Sequence, residues 1–144
     1  MLKKSKQLGF TLIELLVVIA IIGVLASIIL VSLNSARNKG NDAKTKTNLS
    51  NLRTAAAVYY DKNNSYGTVS DLCTAGMFAD PEVAPLLADS SYTGTVTRSC
   101  HATATGFSVS ASLQSVTGQF WCVDYLGYAQ QNVAAQGAGD VTCN

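Results

Sequence analysis

Histidine occurs once in this chain, as His101, and glutamate twice, as Glu14 and Glu82. A lone histidine with no His/Cys/Asp cluster around it in sequence has no partners for metal binding or catalysis, and two isolated glutamates suggest no acid–base pair. No G-x-x-x-x-G-K-[ST] or G-x-G-x-x-G loop follows a strand pattern, so nothing points to a phosphate or dinucleotide site. The four cysteines include no C-x₂₋₄-C pair, which argues against structural zinc. An excess of positive charge is missing too. The formal charge is +1, but the first nine residues hold three of the ten Lys/Arg, so the remainder carries seven against nine Asp/Glu. That balance is no electrostatic footprint for nucleic acid. These absences describe a building block with no cofactor rather than an enzyme.

What the chain does have is one long apolar run. From Phe10 to Leu33 there are 24 residues, and Glu14 is the only ionisable side chain among them. A helix of that length covers roughly 36 Å, enough for a bilayer core of about 30 Å. Lys3, Lys4 and Lys6 precede it and favour a cytoplasmic position for that end, with the rest of the chain outside. A secretory signal has a shorter apolar block, about 7–15 residues, closed by a small-residue cleavage site. Here the small-residue break, Gly9, comes before the block. A plain anchor does not account for Glu14. A central Asp costs about 2.5–3.5 kcal/mol on insertion scales, and a glutamate near one end somewhat less, so something must offset it.

The stretch Gln7-Leu8-Gly9-Phe10-Thr11-Leu12-Ile13-Glu14, with lysines upstream and an unbroken apolar run behind, resembles the class III leader and N-terminal helix of type IV pilins and pseudopilins. The resemblance implies an α+β fold: one long N-terminal helix, its first half membrane-spanning, packed on a small antiparallel sheet. It implies cleavage between Gly9 and Phe10 by a prepilin peptidase, which then methylates the Phe10 amine. The parts would be a removed leader (1–9), a transmembrane or filament-core helix (10–33) and an extracytoplasmic head (34–144). The implied partners are the membrane, the peptidase, further copies in a helical filament, an assembly platform and minor pilins. Such a subunit waits in the cytoplasmic membrane and then enters an extracellular pilus serving adhesion, motility or DNA uptake. The alternatives are a pseudopilin of a type II secretion system, or a minor or competence pilin with a binding role. In a filament Glu14 is expected to face the Phe10 amine of a neighbour and set register, as single buried polar groups do. Thr11 either adds its hydroxyl there or bonds its own backbone. Many major pilins of the a-type have a proline where this chain has Val31, so local melting of the helix is not implied here.

Beyond Leu33 the helix is expected to continue to about Tyr60. Leu49, Leu52, Ala56 and Tyr59 form an apolar stripe, and Thr47, Asn51, Thr54 and Asp61 the opposite face. Gly23 and Gly40 are its soft spots, Gly40 the expected bend. The turn formers from Asp61 to Gly67 end the helix. Residues 68–91 read as a loop with one or two helical turns, the first capped by Ser70 or Asp71 and the second opened by Pro81. Strand patterns lie at 95–103, 106–113 and 119–125, giving three or four antiparallel strands. Residues 127–144 show little periodicity and read as a tail. Most of the six tyrosines are expected in the core. An even cysteine count in an exported domain reads as two disulfides. Of three connectivities, Cys73–Cys100 with Cys122–Cys143 is favoured, because the second bridge ties down the tail.

Overall fold

The structure, a computed structural model, describes residues 9–143; Lys3, Lys4 and Lys6, in the expected leader, lie outside the described residues. The chain divides into two compact units, 1–36 and 37–144. Helix α1, Leu12–Asn63, contributes to both. It lacks proline and is rich in Leu, Ile and Ala, and the helix is continuous through Gly23 and Gly40. In the first unit the apolar run is exposed throughout, Leu12 at 84 % and Val31 at 75 %. Within it, the Ser27 hydroxyl is satisfied locally, Oγ donating to the Gly23 carbonyl at 2.9 Å.

In the second unit α1 turns Leu49, Leu52 and Ala56, all fully buried, toward a core. Each leucine so buried contributes about 1.5–3 kcal/mol of transfer free energy. The helix ends three residues later than expected, at Asn63. Asn64 takes φ 51°, a left-handed value that asparagine tolerates, and its N–H closes on the Tyr60 carbonyl at 2.7 Å.

The connecting loop contains a 3₁₀ turn at Gly76–Ala79, a single helical turn α2 at Ala84–Leu87 and a second 3₁₀ turn at Asp89–Ser91. The expected openings are corrected here. The first turn follows Ala75 without a side-chain cap, and α2 has Pro85, not Pro81, in its first turn. Ser70 instead pairs its backbone with Ala102, and Asp71 goes to His101. The Ser70 hydroxyl oxygen accepts from the Leu72 N–H at 3.1 Å and the Asp71 carboxylate is taken up by His101, so neither is left to cap a helix. Met77, Phe78, Val83 and Leu87 from this loop complete the core against α1.

Four antiparallel strands follow in the order β1-β2-β3-β4: Arg98–Ala102, Phe107–Ser112, Phe120–Asp124 and Ala129–Asn132. Cys100 faces Val109, Val109 faces Val123, and Cys122 faces Gln130 across the ladders. Phe107, Val109, Ala111 and Val123 enter the same core as the α1 stripe. Strand β4 lies inside the stretch read as a featureless tail. Its sequence, AQQN, has neither β-branched residues nor alternation, and it is held by pairing to β3 rather than by propensity. The tyrosines are likewise a correction: Tyr66 and Tyr92 are buried, whereas Tyr60, Tyr125 and Tyr128 are exposed. Tyr60 and Tyr125 stand against Tyr66, with ring centroids 4.7 and 6.5 Å away, at the edge of the core rather than within it.

Candidate functional site

At the head of α1, Thr11 precedes the first helical residue and Glu14 lies one turn in. Glu14 Oε2 accepts from the Thr11 backbone N–H at 2.8 Å and from its hydroxyl at 2.7 Å, and the Glu14 N–H donates back to Thr11 Oγ1 at 3.3 Å. This is a reciprocal capping box, which satisfies helix-start donors that would otherwise be left orphaned in an apolar medium. Both bonds fall on Oε2; Oε1 accepts none among the described residues. The T-x-x-E spacing is the sequence signature of this arrangement. Phe10 is exposed, and a Cβ placed on Gly9 meets nothing within 4 Å, so the chain itself places no demand for glycine there.

A second carboxylate on α1 does structural work that no local pattern announces. Asp42 is buried and accepts from Gln114 N at 2.6 Å, Ser115 N at 3.0 Å and the Ser115 hydroxyl. It thereby caps the connection between β2 and β3, more than seventy residues away. Asn41 Nδ2 adds a bond to Gln114 Oε1 at 2.9 Å. On the same helix, Lys46 places its ammonium 4.4 Å from the Trp121 ring centre.

The sheet face opposite the core is polar yet buried. Ser108, Ser110, Cys122 and Asp124 are all fully enclosed, because residues 133–143 cross that face as a strap. The Ser108 hydroxyl donates to the Asp140 carbonyl at 2.5 Å, and Ser110 Oγ accepts from Gln136 N at 3.3 Å. Asp124 Oδ2 accepts from Cys143 N at 2.9 Å, while its other oxygen holds the N–H groups of Leu126 and Tyr128 at 3.0 Å each. The disulfides are Cys73–Cys100, joining loop to β1, and Cys122–Cys143, joining β3 to the strap, with Cα–Cα distances of 5.1 and 5.7 Å. His101 is buried under the strap, with Nδ1 2.6 Å from Asp71 Oδ1 and Nε2 near Ser99 and Gln136. Asp71 also accepts from Gly139 N at 2.9 Å. The His101 bond first, and the Gly139 bond second, hold the Asp71 carboxyl below its usual range. No group of three or more His, Cys, Asp or Glu side chains able to hold a metal is present among the described residues.

The geometry defines a class before any comparison is made: an apolar helix left uncovered by its own chain, capped at Glu14, carrying a disulfide-stapled α+β head. Residues 4–30 match the family model described as the prokaryotic N-terminal methylation motif. The chain is 35% identical to the type II secretion system core protein G of Escherichia coli (strain K12) over 94 residues, 65% of this chain and 64% of that protein. It is 45% identical to the type IV wide pilus major component PilA4 of Thermus thermophilus over 58 residues, 40% of this chain and 44% of that one. A third relative, the type IV major pilin protein PilA of Myxococcus xanthus, is 40% identical over 58 residues, 40% of this chain and 26% of its own length. The chain spans about half the length of the curated relatives it matches. No solved structure matches it. The chain thus carries that motif and is similar, over part of its length, to type IV pilins and to type II secretion system core proteins G.

Proposed function

We propose that this chain is a pilin: cut between Gly9 and Phe10 by a prepilin peptidase, methylated on the Phe10 amine, held in the cytoplasmic membrane by residues 10–33 with the head outside, and then polymerised into a type IV pilus. The observation that carries this reading is the apolar run, which is long enough to cross a membrane and has no buried residue within its own chain. Only lipid or other copies can cover it. Transfer from the one to the other keeps it dry and leaves Glu14 as the group with something to gain. Its capping bonds travel with it, and the unoccupied Oε1 is available to the amine of a neighbouring copy. Opposite charges attract strongly in such surroundings while desolvation removes much of the gain, so the pair acts chiefly on axial register.

A pseudopilin of a type II secretion system is the second reading, favoured by the longest of the alignments given above, that to the core protein G of Escherichia coli. Mass spectrometry of filaments sheared from cells separates the two. The pilin reading expects a methylated chain beginning at Phe10 as an abundant component of long surface fibres. Recovery from the membrane fraction alone, with none in sheared fibres, rejects it in favour of the pseudopilin.

A further inference from the structure

Under the strap, three heavy atoms close a triangle. His101 Nε2 lies 2.8 Å from Ser99 Oγ and 3.1 Å from the Gln136 carbonyl oxygen, and Ser99 Oγ lies 3.1 Å from that same oxygen. On the other side of the ring, Nδ1 meets Asp71 Oδ1 at 2.6 Å. An ionised carboxylate can only accept, so a neutral imidazole keeps its single ring proton on Nδ1. The triangle then contains one hydrogen, that of the Ser99 hydroxyl, for two acceptors. Either Nε2 or the Gln136 oxygen goes without, and the two lone pairs face each other. Protonating the ring adds a second hydrogen. Nε2 then donates, the Ser99 hydroxyl donates to Gln136, and the bond from the ring is charge-assisted.

We infer that residues 133–142 form a strap latched by the protonation of His101, held against β1 while the ring carries its second proton and loosened when that proton is lost. The charges around the ring permit this. Asp71, from the loop after α1, is the one charged side chain within hydrogen-bonding distance of it among the described residues. On β1 itself, Arg98 is turned to Asp89 and to the Tyr92 ring. β2 opposes His101 with Ser108, β3 contributes Asp124, which is engaged by Cys143, and the strap's Asp140 carboxylate bonds Thr142. No cation therefore opposes a charge on His101. The Asp71 carboxyl, held low by its His101 and Gly139 bonds, faces the ring as an ionised acceptor. The latch fails at the acid end only when pH falls through that lowered value, so its grip passes through a maximum. The Cys122–Cys143 bridge keeps the far end attached, and the strap opens as a loop rather than as a free tail.

The test is hydrogen exchange on the full chain in detergent micelles from pH 5 to 8.5, with rates corrected for intrinsic pH dependence and the His101 ring followed by NMR. Protection at the Gln136 and Gly139 amides is expected to fall about tenfold as the ring loses its proton, the difference between a charged and a neutral hydrogen bond, while β2–β3 amides stay unchanged. His101→Gln, which cannot charge, is expected to give a flat profile. Ser99→Ala removes the neutral state's only hydrogen and leaves the protonated ring its bond to Gln136, so its profile is expected to be steeper than wild type. A flat wild-type profile while the ring titrates overturns the latch. So does a wild-type-like profile in His101→Gln or a flattened one in Ser99→Ala, and the latter decides the matter if His101→Gln does not fold.

Discussion

Glu14 combines a capping role with a charge, and two substitutions pull them apart. Glu14→Gln keeps the capping box, since glutamine serves at that position as glutamate does. Glu14→Leu removes both roles and makes the run more apolar. If the charge sets filament register, both variants are expected to be trimmed at Gly9 and retained in the membrane. Expressed alone, each is expected to yield at least tenfold fewer sheared fibres, because an amine left buried and unpaired costs several kcal/mol per subunit. If only the cap matters, Glu14→Gln will form fibres at the wild-type level, and fibre yield by quantitative blotting distinguishes the two outcomes. Gly9, Phe10, Thr11 and Glu14 are neighbours in the chain, so the resemblance of one short motif was enough to single them out as candidates. Asp42 could not. Its partners Gln114 and Ser115 sit more than seventy residues away, and in the sequence it is simply an acidic residue among lysines.

Asp42 matters at the level of elements, because it fixes α1 to the connection between β2 and β3. Asp42→Ala leaves two backbone N–H groups without their acceptor in a partly buried place, and it is expected to cost about 2–4 kcal/mol of head stability. Denaturant melts followed by the fluorescence of Trp121, the single tryptophan, provide the measurement; a loss below about 0.5 kcal/mol, the range of ordinary surface changes, would show that water replaces the carboxylate at no cost. Elements with strong periodicity were legible beforehand: the α1 stripe at Leu49, Leu52 and Ala56, and the alternation of β2. β4 was not, since Ala129–Asn132 becomes a strand only because β3 is beside it. The strap escaped notice for a related reason. Ser108, Ser110 and Asp124 look like the wet side of a sheet, and only the path of a distant segment turns that side into an interior. The His101–Asp71 pair spans thirty residues and was equally invisible locally.

For the molecule as a whole, the proposed cut after Gly9 is the step that would free the Phe10 amine. No neighbour among the described residues crowds that glycine, so under the proposed processing the demand for it lies with the peptidase. Gly9→Val is therefore expected to leave the head folded while intact mass reports the full chain, leader included; a variant still trimmed to Phe10 and methylated would place the specificity elsewhere. The strap has a further consequence on this scale. Val133, Ala134 and Ala135 are exposed, and the strap's bonds to the sheet begin only at Gln136. A foreign peptide spliced between Ala134 and Ala135 lengthens a segment already anchored at both ends, by β4 on one side and Cys143 on the other, and doubling such a loop costs only about 0.6 kcal/mol. If the chain polymerises as proposed, each subunit would present the same segment and one insertion would be repeated at every step of the fibre, making the strap a port for displaying epitopes or binding peptides along its surface.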